Sequence, residues 1–157
     1  MQQKSPSDIK ALSVLHLALL MGQVLFALIS LFLGYFSNIS SSSLQPYSQQ
    51  LMILSIIVGI VCFIAANSLF RKKIQKISED YKALSERFND YRAVCITRWA
   101  LIEFAALFSI ILFLLTNNYI ILIVAAVLVL LFFTTRPSLP KVASDLGINE
   151  IELEQMI

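Results

Sequence analysis

Four long apolar runs constrain this chain more than any other feature. They cover residues 11–36, 47–70, 99–115 and 119–135. A helix needs about 20 predominantly apolar residues to cross the hydrocarbon core of a bilayer, with about 17–25 the usual range. The chain is 58% hydrophobic and 14% charged. It is therefore richer in apolar residues and poorer in charged ones than a typical soluble domain. The sequence therefore predicts an all-α polytopic membrane protein with four transmembrane helices.

The positions of the basic residues predict how these helices are oriented. All twelve lysines and arginines lie in residues 1–10, 71–98 and 136–157, whereas 37–46 and 116–118 contain no charge. Short cytoplasmic loops carry the excess of positive charge in membrane proteins, so both termini are predicted to be cytoplasmic. The turn at 116–118 is so short that the last two helices must form an antiparallel hairpin. A net charge of +2 gives no indication of nucleic-acid binding.

The basic segment 71–98 also carries an apolar stripe, which predicts an amphipathic helical structure. Its members recur at alternating steps of three and four: Ile74, Ile77, Tyr81, Leu84, Phe88, Tyr91 and Cys95. One straight helix cannot leave and re-enter the membrane. The segment therefore folds back as a short helical hairpin, broken near Ser78 or near Asn89, or it lies along the lipid surface. Packing of a hairpin on itself is favoured over a groove for a partner.

The tail that follows the last apolar run has a different composition. Residues 140–146 are expected to form a short helix that ends at Gly147. Asn149, with Glu152 three residues later, is typical of a capping box and predicts a final acidic turn through Ile157. The tail has four acidic and two basic residues, whereas segment 71–98 has eight basic and four acidic ones. Opposite net charges predict that the tail docks on this segment.

A carboxylate in an apolar run is the strongest candidate for a functional group. Glu103 lies five residues beyond Arg98, which is about 7.5 Å along a helix. His16, Asn67 and Arg136 lie at similar depths in the other three runs. Topology and depth therefore predict a polar cluster near the cytoplasmic side, to which each of the four helices contributes one side chain.

Two interpretations of this cluster compete. In the structural one, Glu103 pairs with Arg136 or His16 and locks the bundle, while Asn67 makes a hydrogen bond between helices. In the functional one, the carboxylate is open to the cytoplasm and exchanges a proton or binds a cation. The structural interpretation is favoured, because a single carboxylate near the interface often pairs or reaches water.

Pairs of small residues at a spacing of four indicate close helix contacts. These pairs are Ala18 and Gly22, Ser30 and Gly34, Ser55 and Gly59, and Ala105 and Ser109. By contrast, the sequence contains no phosphate-binding glycine loop, nucleophile motif or zinc-binding spacing. We therefore expect no enzymatic activity, no metal and no cofactor. The expected role is that of an accessory or self-associating membrane subunit, and the alternative is an ion- or proton-coupled transport component that uses Glu103.

Two stretches resemble parts of small uncharacterised four-helix bacterial membrane proteins. They are TRWALIEFAALFSIILFLLTNN, with a carboxylate after a basic-aromatic entry, and LFFTTRPSLPKVASDLGIN, with Arg-Pro before a short helix. The resemblance implies four spans and the bacterial inner membrane. It implies no catalytic residue.

Overall fold

The computed structural model describes residues 7–36, 44–79, 83–149 and 151, and these residues form an all-helical structure without strands. Five α-helices follow one another along the chain, and a short 3₁₀ turn at Gln45–Tyr47 precedes the second. The α-helices are α1 (Ser7–Phe36), α2 (Ser48–Ser78), α3 (Leu84–Thr116), α4 (Tyr119–Phe133) and α5 (Leu139–Leu146).

Three of these helices, α1, α2 and α3, are long and apolar enough to cross a membrane. Helix α4 is equally apolar but has only 15 residues. Large apolar side chains cover the outer faces, and Leu25, Ile60 and Phe104 are each more than half exposed. An apolar surface of this extent is expected where lipid or another protein covers a helix bundle.

Helix α3 is the centre of the bundle, and α1, α2 and α4 all pack against it. Half of its most apolar stretch is buried, compared with 17% of that of α1. Small and medium side chains on its inner faces, such as Ala105, Ala106 and Ile110, are fully buried. They permit close approach of the neighbouring helices, which is how helices associate when no water drives them together.

The turn between α3 and α4 is as tight as predicted. Asn117 adopts a left-handed conformation with φ +52°, and its backbone N–H donates to the carbonyl of Phe113 at 2.7 Å. Asn118 then caps α4, because its side-chain oxygen accepts from the N–H of Ile120 at 3.0 Å. Its amide nitrogen also donates to the hydroxyl of Ser48 at 2.9 Å, which ties the turn to the start of α2.

The described residues of segment 71–98 form the two packed arms of a helical hairpin, the first of the two predicted alternatives. Helix α2 continues to Ser78 and α3 begins at Leu84, so the break falls near Ser78 and not near Asn89, which lies within α3. Four members of the stripe are buried and two are partly buried, while Tyr81 lies outside the described residues. The buried members are Ile77, Phe88, Tyr91 and Cys95; the partly buried members are Ile74 and Leu84.

The tail forms α5 and docks on this hairpin. Val142, Ala143 and Leu146 are buried against α2 and α3. The helix ends at Gly147, whose φ of +67° is accessible to glycine without strain. The N–H of Ile148 bonds to the carbonyl of Ala143 at 3.1 Å, which completes a Schellman motif. Of the predicted final turn, 150 and 152–157 lie outside the described residues.

Candidate functional site

The four side chains predicted to form one polar cluster have different environments. His16 is buried, Asn67 and Glu103 are partly buried, and Arg136 is exposed. Within the described parts of the chain, no hydrogen bond or ion pair joins any two of them. Depth along the helices did not determine which way each side chain faces.

His16 is held in the core by α4 and α3. Its Nε2 lies 3.1 Å from the carbonyl oxygen of Phe132 and 3.3 Å from the hydroxyl oxygen of Thr135. Because a carbonyl oxygen only accepts, Nε2 is the protonated nitrogen. The ring stacks on Phe132 with centroids 4.6 Å apart and meets the Trp99 ring edge-on at 4.9 Å. His16 therefore satisfies a carbonyl near the end of α4, and its role in this structure is packing.

Asn67 makes the hydrogen bond between helices that the sequence suggested, and its partner is Arg98 of α3. The guanidinium Nη2 donates to the Asn67 side-chain oxygen at 2.7 Å, while the Asn67 amide donates to the carbonyl of Phe63 at 2.8 Å. The guanidinium carbon also lies 4.5 Å from the centre of the Phe70 ring, a cation–π distance. Arg98 therefore joins α3 to α2 by two different interactions.

Glu103 has neither of the partners expected for it. Its side chain is partly exposed, and within the described parts of the chain it makes no hydrogen bond or ion pair. The expected pairing with His16 or Arg136 is absent there, because His16 bonds to α4 and Arg136 is exposed. An ionised carboxylate in an apolar span is costly unless another group compensates it.

A second set of polar side chains, which was not predicted from the sequence, joins α5 to the hairpin. The hydroxyl of Tyr91 donates to Asp145 at 3.0 Å. Arg87 donates through Nε to the carbonyl of Ile77 at 2.9 Å and through Nη2 to the carbonyls of Ser78 and Leu146. Only the opposite net charges of tail and loop signalled this contact in the sequence.

Basic side chains lie close to Tyr91 and Asp145. Burial lowers the pKa of Lys141 below its ordinary value, and the positive charge of Arg98 nearby lowers it further. Arg71 in turn repels Arg98. Asp145 opposes them, but its carboxylate already accepts the Tyr91 hydroxyl. Among the described residues, three cations therefore lie near one another, with the carboxylate of Asp145 beside them.

Helix α1 presents a polar stripe to the interior at intervals of seven residues: His16, Gln23 and Ser30. Gln23 is 1% exposed and Ser30 is fully buried. Neither the amide of Gln23 nor the hydroxyl of Ser30 finds a hydrogen-bond partner within the described ranges. A buried amide left in this state destabilises a fold, by about 1–3 kcal/mol.

The seam between α2 and α4 contains an apolar groove of about 310 Å³. Every lining side chain is apolar, including Phe63 and Ile60 of α2 and Val127 and Leu131 of α4. Gly59 lies on its floor against Leu128. The groove can hold a hydrocarbon chain but offers no polar group to orient a substrate.

No metal or catalytic constellation stands out in the part of the chain that is described. No three histidine, cysteine or acidic side chains there are placed to hold a metal ion. Cys62 and Cys95 are both free thiols. Comparisons with protein-family models, with curated proteins and with solved structures give no match to this chain.

Proposed function

We propose that this chain is an integral membrane protein of the bacterial inner membrane with four spans and cytoplasmic termini. In this proposal it acts through contacts with a second copy or with another membrane protein, as an accessory or self-associating subunit. Helix α4, though short, is uniformly apolar and tied to α3 by a two-residue turn, which supports a fourth span. The uncharged turn at 116–118 and the basic segment 71–98 support the orientation.

Glu103 is the observation that carries the proposed role. A carboxylate in the middle of a span costs about 2.5–3.5 kcal/mol on insertion scales, and less toward the interface. The bundle does not offset this cost within its described residues, and the side chain is partly exposed at the surface of α3. A donor from another chain would satisfy it. The large exposed apolar surface of the same helices supports the same conclusion.

The first test is the assembly state of the full chain in mild detergent, measured by size-exclusion chromatography with light scattering and by crosslinking in intact membranes. We expect a homo-oligomer or a complex with a co-purifying membrane protein. Glu103→Gln should weaken that assembly. The matched control is Glu86→Gln, which changes an exposed carboxylate in the first turn of the same helix. A wild-type monomer that crosslinks to nothing would refute the proposal.

The topology is tested separately. Fusion of alkaline phosphatase or a fluorescent protein to the C-terminus and to the 37–46 loop reports on which side each lies. Cytoplasmic fluorescence at the C-terminus and phosphatase activity at the loop are expected. Phosphatase activity at the C-terminus would contradict the proposed orientation, and together with a cytoplasmic N-terminus it would also contradict an even number of spans.

The alternative role is ion- or proton-coupled transport through Glu103, and the same partly exposed carboxylate favours it. His16 does not assist in this version, because its Nε2 is bonded to α4. The protein reconstituted in liposomes should then show pH-dependent flux that Glu103→Gln abolishes. Flux that survives this substitution removes Glu103 from the mechanism.

A further inference from the structure

The face of α2 that lines the groove continues, beyond Ile64, to Asn67 and Arg71. Phe63 lines the groove and Asn67 follows it by one turn on the same side of α2. Asn67 is hydrogen-bonded both to the carbonyl of Phe63 and to Arg98. Arg71 lies one further turn along this side. Helical spacing and the Asn67–Arg98 hydrogen bond therefore place two guanidinium groups beyond one end of the apolar groove.

Positive charge at this end of the bundle exceeds negative charge among the described residues. Arg98 uses Nη2 for Asn67, but its Nε is buried and makes no hydrogen bond within the described ranges. Arg71 and Lys141 add two more positive charges close to it. Asp145 is the carboxylate near them, and it also accepts the hydroxyl of Tyr91. This arrangement is complementary to a group with negative charge and several acceptor oxygens, such as a phosphate.

We infer that the α2–α4 seam binds an anionic phospholipid, with one acyl chain in the apolar groove and the phosphate beside Arg98, Arg71 and Lys141. The inference rests on the proposed insertion in the membrane. There Arg98 is the last basic residue before the third span, at the depth where headgroup phosphates lie. Basic pockets between helices on the cytoplasmic side are suited to lipid headgroups.

A phospholipid matches both parts of the site, and the other occupants match one part each. A helix from a second copy would fill the groove, but the spans of this chain carry no carboxylate except Glu103. Free phosphate would meet the cations but leave the groove unfilled. Only an amphiphile with an anionic head would both fill the groove and neutralise the cations.

Native mass spectrometry of the full chain, purified in detergent and delipidated, tests the inference by titration with phosphatidylglycerol or phosphatidylcholine. We expect phosphatidylglycerol to bind more tightly. Removing two cations with Arg71→Gln plus Lys141→Gln should weaken it by about thirtyfold, since each cation near a headgroup contributes a factor of about five. The matched control, Arg92→Gln, removes an exposed cation elsewhere on α3 and should have no effect.

A second variant tests the acyl chain. Val127→Trp, which fills the groove from α4, should reduce binding of phosphatidylglycerol, whereas Leu28→Trp on the exposed face of α1 should not. Equal binding of the two lipids, or binding unaffected by the variants, would overturn the inference. So would displacement of the lipid by millimolar inorganic phosphate, or a change in oligomeric state upon Val127→Trp with unchanged lipid binding.

Carbonate extraction of membranes from the same cells separates the two possible failures. Wild-type protein that remains in the membrane pellet but does not prefer phosphatidylglycerol refutes the lipid site alone. Protein released by carbonate refutes the membrane location on which the lipid site depends, and with it the proposed function.

Discussion

The two ends of α3 are held by different kinds of contact. Toward its start, side chains are joined by hydrogen bonds from Arg87, Tyr91 and Arg98 to α2 and α5. We call this the charged end. Toward its finish, the contacts are mostly apolar and close, and one hydroxyl pair, Ser55 with Ser109 at 2.8 Å, bridges α2 and α3. We call this the apolar section.

The difference matches the surroundings that we propose for each region, which are water at the charged end and lipid around the apolar section. At the charged end, large apolar rings are buried beneath polar groups, as in a soluble protein where water drives burial. In the apolar section, water does not provide this drive in the proposed membrane setting, and small residues allow backbones to pack closely. The same helix therefore combines two kinds of packing, and Trp99 lies at the boundary between the charged end and the apolar section.

The largest expected effect is at that junction. Trp99 is 1% exposed and contacts the ring of His16, so Trp99→Ala should reduce the free energy of unfolding by about 3–5 kcal/mol. Thermal unfolding in one detergent measures the loss. Phe104→Ala removes a ring that is 57% exposed on the same helix and is the matched control. Equal losses in the two variants would mean that the region around Trp99 is not a packed core.

Next in size is the loss of the Arg87 contacts at the charged end. Arg87→Gln leaves the carbonyls of Ile77, Ser78 and Leu146 without this donor, at a cost of about 1.5–3 kcal/mol. Limited proteolysis should then cleave the tail faster, because α5 is released. Arg92→Gln, which changes an exposed arginine one turn later, should leave cleavage unchanged. If α5 remains protected in Arg87→Gln, apolar burial alone holds it.

The third effect has the opposite sign and concerns a buried side chain of α1. Gln23→Met keeps a similar volume but removes a buried amide without a partner, so stability should rise by about 1–3 kcal/mol. The melting temperature in detergent measures it, with the exposed Gln49→Met as control. A lower melting temperature for Gln23→Met would indicate that bound water satisfies this amide.

The smallest effect concerns the hydroxyl pair. A double-mutant cycle with Ser55→Ala and Ser109→Ala should give a coupling of about 0.6 kcal/mol, the average for hydrogen bonds between membrane helices. Ser109 also donates to the carbonyl of Ala105 in its own helix, which keeps the coupling small. A coupling above about 1.7 kcal/mol would exceed the range known for such bonds and would make this pair a principal link between α2 and α3.

Local signals in the sequence predicted the elements well. Hydropathy located α1 to α4, and the short break at 116–118 separated α3 from α4. Gly147 located the end of α5, because a helix cap depends on a few neighbouring residues. The apolar stripe allowed a hairpin or a helix on the lipid surface, and it did not decide between a reversal near Ser78 and one near Asn89. These features depend on spacing along the chain, which the sequence contains directly.

Geometry explains why the four side chains of the predicted cluster make no hydrogen bond or ion pair with one another within the described residues. Depth places His16, Asn67 and Glu103 at comparable heights, but the rotation of each helix decides which side chains meet. The rotation depends on how all the interfaces pack at once. As a result Asn67 meets Arg98, and His16 meets a backbone carbonyl that no sequence motif marks.

The two-residue turn between α3 and α4 also has a consequence for biosynthesis. Helix α4 leaves the ribosome immediately after α3, so in the proposed setting an insertase receives both helices as one unit and not as two separate segments. The turn that must be carried across the membrane, Asn117–Asn118, has no charge to dehydrate. Contacts between α3 and α4 are also local in the chain, which favours rapid pairing. This hairpin is therefore ready to receive α1 and α2 as soon as it is made.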